Sequence, residues 1–375
     1  MSDAGAIAST VFACDRSTSV ALDQLEYVHG GEAGLSRERR RGESVILDSL
    51  GEPVTDADTL ARVRELRIPP AWTHVWIAAS PNAHLQATGL DSKGRRQYLY
   101  HPLWRERRDH EKYDDMLEFA GKLPRIRATT SSLLGARHAE RDRTLALAVR
   151  LLDIGLFRVG WDRYARDNGH VGLTTLRREN VTLRGQEVHF DFVAKSGKRR
   201  RMTVRDPQSV AALAGLKHRR GAPDELLVFR SDHRWRRIHA SDVNNALRTW
   251  GEGPYSAKEF RTWSATVLAA VALAREHQTG SRGPRAVSRA VRQVSSALGN
   301  TPAVARASYI DPRVITLFQS DQVIDLPAAP PPQAFTLEVE LPGGDTVLEL
   351  PTDVDGDAVR LETEQRVRAL LLAED

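Results

Sequence analysis

The first hundred residues alternate short apolar runs with turn-forming residues, a pattern typical of β-strands. Val75, Trp76 and Ile77 form an apolar strand centre, and Gln97–His101 alternates polar and apolar positions as a half-buried strand does. Asp56–Leu66 has the pattern of a short helix that Pro69 and Pro70 stop. We therefore expect a small, mainly antiparallel-β domain here.

From about residue 109 the apolar positions recur with helical spacing instead. The pattern predicts helices over Arg137–Ile154, Lys258–His277 and Arg285–Leu298, and Thr301-Pro302 is typical of the start of another. One β-hairpin interrupts the helices, because Val188, Phe190 and Phe192 alternate with polar residues, the turn falls at Ser196-Gly197, and Arg201–Val204 returns.

These patterns predict an α+β fold of two domains with an appended extension. A small mainly antiparallel-β N-terminal domain precedes a larger, mainly α-helical domain that carries a β-hairpin sheet. The extension is predicted to hold two short strands, Leu337–Leu341 and Thr346–Leu350, and a helix over Leu361–Leu372. The expected segments are a flexible tail at 1–22, the N-terminal domain at 23–108, the helical domain at 109–326, a Pro-rich linker at 327–332 and the extension at 333–375.

The charge is distributed unevenly along the chain. The 375 residues carry a formal charge of +5, but residues 327–375 hold eleven acidic and three basic side chains, which leaves +13 for residues 1–326. A body this basic indicates a polyanionic partner, and nucleic acid is the usual one. The basic residues are 47 Arg and 7 Lys, and the arginine fork suits phosphate and guanine. The acidic extension is interpreted as a small αβ element or a DNA-mimicking regulator.

Several classes of chemistry lack their motifs in this sequence. A single cysteine, Cys14, excludes a disulfide within the chain and a cysteine-rich zinc module. We find no HExxH, CxxC pair, P-loop or GxSxG motif, so we expect no metal and no nucleotide cofactor. The longest apolar stretch, Ala265–Ala274, is too short to span a membrane, and residues 1–20 lack the pattern of a secretory signal. We expect a soluble cytoplasmic protein.

Four motifs carry the candidate chemistry, and together they resemble the type IB DNA topoisomerases of the short poxvirus-like and bacterial branch. They match, in order, that family's first arginine box, lysine turn, second arginine box and nucleophile box. Three N-terminal segments also resemble the family's DNA-clamping domain, so the resemblance covers about residues 25–320. The four motifs are Phe157–Gly160 with Gly169–Leu176, Phe192–Lys198, Lys258–Trp263, and Gly299–Pro302 with Ser308–Ile310; the N-terminal segments are Ile68–Trp72, His84–Gly89 and Arg96–His101.

The resemblance implies a catalytic role for five side chains. Tyr309 would attack a DNA phosphodiester and form a 3′-phosphotyrosyl bond, while Arg158 and Arg261 stabilise negative charge on the nonbridging oxygens. Lys195 would protonate the leaving 5′-oxygen. Asn300 stands where part of the family has His, and it would donate a hydrogen bond to the phosphate without carrying a charge.

The resemblance also implies how the protein meets DNA. A C-shaped clamp would close on the duplex, with DNA contacts from Gln97, Tyr98, Tyr100, Tyr164 and Lys258. Positive and negative supercoils would be relaxed without ATP or metal, by nicking, strand rotation and religation, in a nucleoid-associated monomer. The arginine run Arg199–Arg201 is expected to face phosphate rather than act catalytically, and Trp161 is expected to pack in the protein.

Two other functions stay open from the sequence. A tyrosine recombinase would share the catalytic core, but recombinases carry HxxR in the second arginine box, and Lys258 occupies the position three residues before Arg261. A non-catalytic architectural protein would bind DNA through the basic body alone. Relaxation of supercoiled plasmid would separate both from a topoisomerase.

Overall fold

A computed structural model describes residues 25–40, 43–136, 140–162, 169–326, 338–339 and 354–373. The chain forms two compact units, Met1–Asp114 and Asp115–Asp375, and the division falls within one long helix. The predicted tail at 1–22, the linker at 327–332 and the strand at Thr346–Leu350 lie outside the described residues. The five-segment division stays a prediction.

The described residues of the first unit form a five-stranded antiparallel sheet, a helix over Ala57–Glu65 and the start of the long helix Pro102–Gly135. The strand order is β2-β1-β3-β4-β5. Helix α1 begins where the sequence predicts, because the Asp56 carboxylate accepts a hydrogen bond from the Thr59 amide at 2.8 Å and caps it. The elements are β1 (Leu35–Arg40), β2 (Glu43–Leu47), α1 (Ala57–Glu65), β3 (Thr73–Ile77), β4 (Leu85–Leu90) and β5 (Arg96–Tyr100).

An apolar cluster joins this sheet to α1. Val63 of α1 packs with Val75 and Ile77 of β3, Ala87 of β4 and the connecting Ile68. The alternation of β5 places Leu99 against the same cluster, while Tyr98 and Tyr100 point to the opposite face.

Helices dominate the second unit. Helix α2 (Pro102–Gly135) begins in the first unit, seven residues before the position at which the sequence becomes helical in pattern, and continues into the second. The other helices are α3 (Glu140–Gly155), α4 (Pro207–Lys217), α5 (Ala240–Gly251), α6 (Ala257–Gln278), α7 (Pro284–Leu298), α8 (Pro302–Ser308), α9 (Pro312–Gln319) and α10 (Val354–Leu372).

A four-stranded antiparallel sheet of order β11-β8-β7-β6 and a separate hairpin of β9 and β10 complete this unit. The predicted hairpin is β7 and β8, joined by a 3-10 turn over Lys195–Gly197. The predicted α+β class, with an antiparallel-β N-terminal region and a larger helical region carrying a small sheet, is confirmed. The strands are β6 (Val181–Arg184), β7 (Glu187–Val193), β8 (Arg199–Val204), β9 (Val228–Ser231), β10 (Arg234–Arg237) and β11 (Glu338–Val339).

Helix α6 passes through the centre of the second unit. Most of its residues are buried, and Phe260 meets Phe119 of α2 edge to face at 5.0 Å between ring centroids. Phe157, just after α3, packs in the same way on Phe190 of β7. The first contact joins α6 to α2, and the second joins the end of α3 to the sheet.

The C-terminal helix α10 belongs to this unit. Val367 and Leu371 are fully buried, and Arg360 and Glu364 form buried ion pairs with groups on α2 and α3. A DNA-mimicking regulator would present the acidic side chains of the extension to a partner, whereas the side chain of Glu364 is buried in the second unit. No helix in the described part of the chain is long and apolar enough to cross a membrane.

Candidate active site

A cavity of about 320 Å³ in the second unit gathers most of the predicted catalytic residues. Arg158, Lys195, Arg261 and Tyr309 all line it, and so does Lys258. These residues come from a loop, a hairpin turn, a buried helix and the end of a short helix. The remaining lining residues are Val159, Gly160, Trp161, His170, Val171, Gly172 and Ala257.

Two glycines place Arg158 at the cavity wall. Gly160 has φ +88°, and a Cβ added to Gly172 would lie 2.4 Å from the Gly160 Cα, so the two backbones touch. The amide of Leu173 donates to the Arg158 carbonyl, and that of Thr174 to the Val159 carbonyl, each at 2.8 Å. The two halves of the first arginine box are thus joined by backbone hydrogen bonds, which explains why both glycines occur in it.

Arg261 lies on α6 and is held by the carbonyl ends of two other helices. Its guanidinium donates to the Leu156 carbonyl, just beyond α3, and to the Leu298 carbonyl of α7, the latter at 2.9 Å. The last carbonyls of a helix lack partners within it and carry partial negative charge, so they stabilise a buried cation. The side chain is only 3% exposed, and burial lowers the pKa of Arg261, with the nearby charge of Arg158 adding to the effect.

Asn300 is placed by the end of α7. Gly299 adopts φ +65° and terminates the helix, so that Asn300 follows at once and Thr301 caps α8. The Asn300 Oδ1 accepts a hydrogen bond from the Arg158 guanidinium, which can only donate, and this fixes the orientation of the amide. The Nδ2 is buried and makes no hydrogen bond of good geometry among the described residues, but it lies close enough to the Tyr309 hydroxyl to help lower the pKa of that group.

Tyr309 follows the last residue of α8, with its phenol ring beside Arg261. The Arg261 guanidinium carbon lies 5.3 Å from the ring centroid. Thr266 of α6 holds the following turn, since its hydroxyl accepts from the Asp311 amide at 3.1 Å and lies 3.4 Å from the Tyr309 carbonyl. Burial alone would raise the pKa of the Tyr309 hydroxyl, but the charges of Arg261 and Arg158 outweigh it and lower that pKa below its ordinary value.

The two lysines of the cavity are exposed. Lys195 begins the 3-10 turn between β7 and β8, and Gly197 closes that turn with φ +71°. Lys258 lies in the first turn of α6, which Ser256 and Glu259 cap reciprocally. Both ammonium groups can reach solvent or a ligand, whereas the arginines are fixed in the wall.

Arg200, which no sequence motif marks as a site residue, lies buried beside this wall. The expectation that the whole run Arg199–Arg201 faces phosphate is wrong for Arg200, which is 7% exposed and donates to backbone carbonyls. Arg199 and Arg201 form ion pairs with Asp191 instead. Strand alternation was the available signal, because Arg200, Met202 and Val204 share the buried face of β8.

The wall is strongly positive without acidic compensation. Within the described residues, no carboxylate is ion-paired with Arg158, Arg200 or Arg261, and the pKa of each is lowered, chiefly by burial. The same residues include no group of three or more His, Cys, Asp or Glu that could hold a metal ion. Buried cations without anions are typical of a binding site for an anionic ligand.

The predicted DNA contacts of the first unit are distributed over two faces of β5. Tyr98 and Tyr100 are 49% and 38% exposed and stack with ring centroids 6.1 Å apart. Gln97 is on the other face, and its amide donates to Asp91 at 2.9 Å. Tyr164 lies outside the described residues. Trp161 was expected to pack internally, but it is 55% exposed at the rim of the cavity.

Comparison with known proteins identifies the family of this chain. A family model for the catalytic core of eukaryotic DNA topoisomerase I matches residues 101–319, and one for the N-terminal domain of bacterial DNA topoisomerase IB matches residues 46–91. The matches define a DNA topoisomerase by class. The first of them spans more than half of the chain, which therefore belongs to the type IB DNA topoisomerase family, and the resemblance drawn from the four motifs is confirmed.

Several individual relatives are viral. DNA topoisomerase 1B of Acanthamoeba polyphaga mimivirus is 29% identical over 282 residues, which cover 72% of this chain and 82% of that protein. DNA topoisomerase 1B of Vaccinia virus (strain Copenhagen) is 20% identical over 284 residues, which cover 73% of this chain and 87% of the viral protein. Among solved structures, the XerH site-specific recombinase aligns over 50% of this chain and 48% of the recombinase chain, with 11% sequence identity and a TM-score of 0.32. This similarity is weak.

Proposed function

We propose that this enzyme relaxes both positive and negative supercoils without ATP or metal, through a transient 3′-phosphotyrosyl bond to Tyr309. One observation carries the proposal. Three guanidiniums, those of Arg200 and Arg261 buried and that of Arg158 half-buried, have no carboxylate partners among the described residues, and Arg158 and Arg261 lower the pKa of the neighbouring Tyr309 hydroxyl. A DNA phosphodiester supplies the negative charge that this wall lacks. Its transition state gathers still more charge on the nonbridging oxygens, so the wall favours it over the ground state.

In the proposed cleavage step, the Tyr309 oxygen bonds to phosphorus as the bond from phosphorus to the 5′-oxygen breaks. Arg158 and Arg261 donate to the nonbridging oxygens from fixed positions, which requires no reorganisation during the reaction. The position of the Asn300 amide beside the Tyr309 hydroxyl supports its role as a neutral third donor. The lowered pKa of Tyr309 supports attack by the phenolate.

Lys195 is proposed as the general acid that protonates the leaving 5′-oxygen. It lines the same cavity as Tyr309, on a turn between two strands. Religation reverses the step: the 5′-hydroxyl returns its proton to Lys195 and attacks phosphorus, which releases Tyr309. Because the phosphotyrosyl bond conserves the energy of the phosphodiester, no ATP is needed.

The first unit is proposed to close with the second as a C-shaped clamp around duplex DNA, in a monomer. Tyr98 and Tyr100 would meet the duplex, supported by their exposure on one face of β5. Gln97 would have to leave Asp91 to read a base edge. Tyr164 and Lys258 are proposed as contacts beside the first and second arginine boxes, and the protein would associate with the nucleoid.

The test is relaxation of negatively and positively supercoiled plasmid in EDTA without ATP. We expect complete relaxation of both forms. Relaxation of neither would contradict the proposed activity, and recombinant plasmid products without relaxation would favour a tyrosine recombinase.

Tyr309→Phe is the matched control for the nucleophile. It removes one oxygen, so we expect relaxation and covalent DNA adducts to disappear while duplex DNA binding persists. Persistent adducts in this variant would mean that another residue is the nucleophile. Binding by both proteins with relaxation by neither would indicate the architectural alternative.

A further inference from the structure

Arg200 connects the hairpin that carries Lys195 to the segment that carries Asn300. It lies in β8, paired in register with the buried Phe192 of β7. Its guanidinium donates to the carbonyls of Leu298 at 3.2 Å and Ala297 at 3.0 Å, the last two residues of α7, and to Gly155 of α3 at 3.4 Å. Arg200 thus bridges the same two helix ends as Arg261.

The two guanidiniums share one acceptor. The Leu298 carbonyl receives hydrogen bonds from both Arg200 and Arg261, so two positive groups are held side by side by a single oxygen. Two positive charges that share one acceptor repel each other. Burial lowers the pKa of Arg200, and the charges of Arg261 and Arg158 lower it further. The helix ends offset only part of this repulsion.

Arg200 does not line the cavity, which distinguishes it from Arg158 and Arg261. Its Nε is buried without a hydrogen-bond partner among the described residues, and its outer nitrogens are directed at backbone carbonyls. Any effect on a bound phosphate must therefore act through the electric field and through the position of Arg261.

We propose that Arg200 is a positioning residue that holds the Arg261 guanidinium by sharing its carbonyl acceptor, and whose buried charge stabilises the phosphorane-like transition state from behind Arg261. The inference rests on the proposed cleavage reaction. An anionic transition state at the cavity would relieve the repulsion among the three arginines, so the charge of Arg200 contributes more as the phosphate charge grows. Removing the charge should slow cleavage about 10- to 100-fold, which is the effect of a unit charge about 6–12 Å from the phosphate at an effective dielectric of about 20.

The experiment compares two DNA linkages. Single-turnover cleavage at saturating enzyme is measured on a duplex with an ordinary scissile phosphodiester and on one with a neutral methylphosphonate at the same position. Arg200→Met and Arg200→Gln remove the charge, and Arg205→Met is the matched control, because Arg205 follows the same strand and is ion-paired with Glu187 at 2.6 Å. Melting temperatures and duplex affinities are recorded for every variant.

We expect the Arg200 variants to lose about 10- to 100-fold on the phosphodiester and a clearly smaller factor on the methylphosphonate, because its transition state carries one negative charge fewer. Arg205→Met should match the parent enzyme on both. An equal loss on both linkages, or no loss on either, would overturn the proposal, the first by showing a purely structural role. If the parent enzyme itself cleaves neither duplex, the proposed function fails rather than the role of Arg200.

Discussion

The second unit holds two groups of three buried or half-buried arginines, and only one of the groups has carboxylate partners among the described residues. Arg127, Arg150 and Arg360 lie against Asp153, Asp206 and Glu364, with nitrogen–oxygen distances of 2.6–2.9 Å across α2, α3 and α10. Arg158, Arg200 and Arg261 have no such partners within the described residues. The first group balances its charge and the second does not.

The pKa shifts follow this difference. Burial alone would lower the pKa of Arg127, but Asp153 and Glu364 outweigh burial and raise it. Burial lowers the pKa of Arg261 and of Arg200, and neighbouring arginines lower both further. A buried charge without a partner destabilises the protein until an anion binds, so the second group makes sense as part of a ligand site. The group with carboxylate partners instead connects α10 to α2 and α3 through ion pairs.

The comparison is tested most strongly by Arg261→Met. We expect single-turnover cleavage to fall about 10²- to 10³-fold, the range for losing one fixed donor to a transition-state oxygen. The free energy of unfolding should change by less than about 1 kcal/mol, because lost hydrogen bonds to carbonyls are offset by relief of repulsion. The pKa of Tyr309 should rise, so the increase of the cleavage rate with pH should move to higher pH.

Arg289→Met is the control for that variant. Arg289 lies on α7 and is ion-paired with Glu276, so its loss removes one positive charge that does not line the cavity. We expect its rate and pH profile to match the parent enzyme. A large loss of stability in Arg261→Met, with an unchanged rate, would mean that the uncompensated arginines are structural.

Arg360→Met tests the balanced group. It leaves the buried Asp153 and Glu364 with fewer cations, and breaking a buried pair in this way costs about 3–5 kcal/mol. The free energy of unfolding, from urea denaturation, should fall by that amount, while the cleavage rate of the folded protein stays within about threefold.

The matched control, Arg366→Met, changes the same helix at its surface. Arg366 is ion-paired with the exposed Glu362, so the expected loss is below about 1 kcal/mol. If both variants were equally stable, α10 would not be fastened through its ion pairs. Deleting residues 327–375 would remove α10 entirely, and is thus a test of folding more than of DNA mimicry.

The local sequence pattern was sufficient to predict the helices that have strong apolar periodicity and clear caps. The helix predicted at Lys258–His277 is Ala257–Gln278, and the one predicted at Arg285–Leu298 is Pro284–Leu298. The hairpin of β9 and β10 was missed, because its turn uses Asp232 and His233 at positive φ where glycine would have been the usual signal.

The residues of the candidate site also fall into those that a sequence motif predicts and one that no motif predicts. Arg158, Lys195, Arg261 and Tyr309 stand in motifs that are read along the chain, and the fold brings them to one cavity. Arg200 could not be recognised from its neighbours, because its acceptors lie about 45 and 100 residues away and are backbone carbonyls, which no side-chain pattern reports. The catalytic roles themselves stay predictions.

The smallest expected effect concerns how the uncompensated wall is positioned. In Gly172→Ala, the new Cβ would lie 2.4 Å from the Gly160 Cα, and backbone on both sides must move apart. Strain of this kind costs about 1–3 kcal/mol, and it would stretch the hydrogen bond from the Leu173 amide to the Arg158 carbonyl. We expect cleavage to slow about tenfold, because even a small displacement of a fixed donor reduces the stabilisation of the transition state.

Gly215→Ala separates this effect from the general consequence of replacing glycine. Gly215 lies in α4 with open space around its Cα, so alanine should stabilise the protein by about 0.5–1 kcal/mol and leave cleavage unchanged. Single-turnover cleavage and urea denaturation of both variants provide the comparison. Normal cleavage in Gly172→Ala would show that the Arg158 guanidinium does not depend on the contact between the two glycines, and that its bond to Asn300 is enough to hold it.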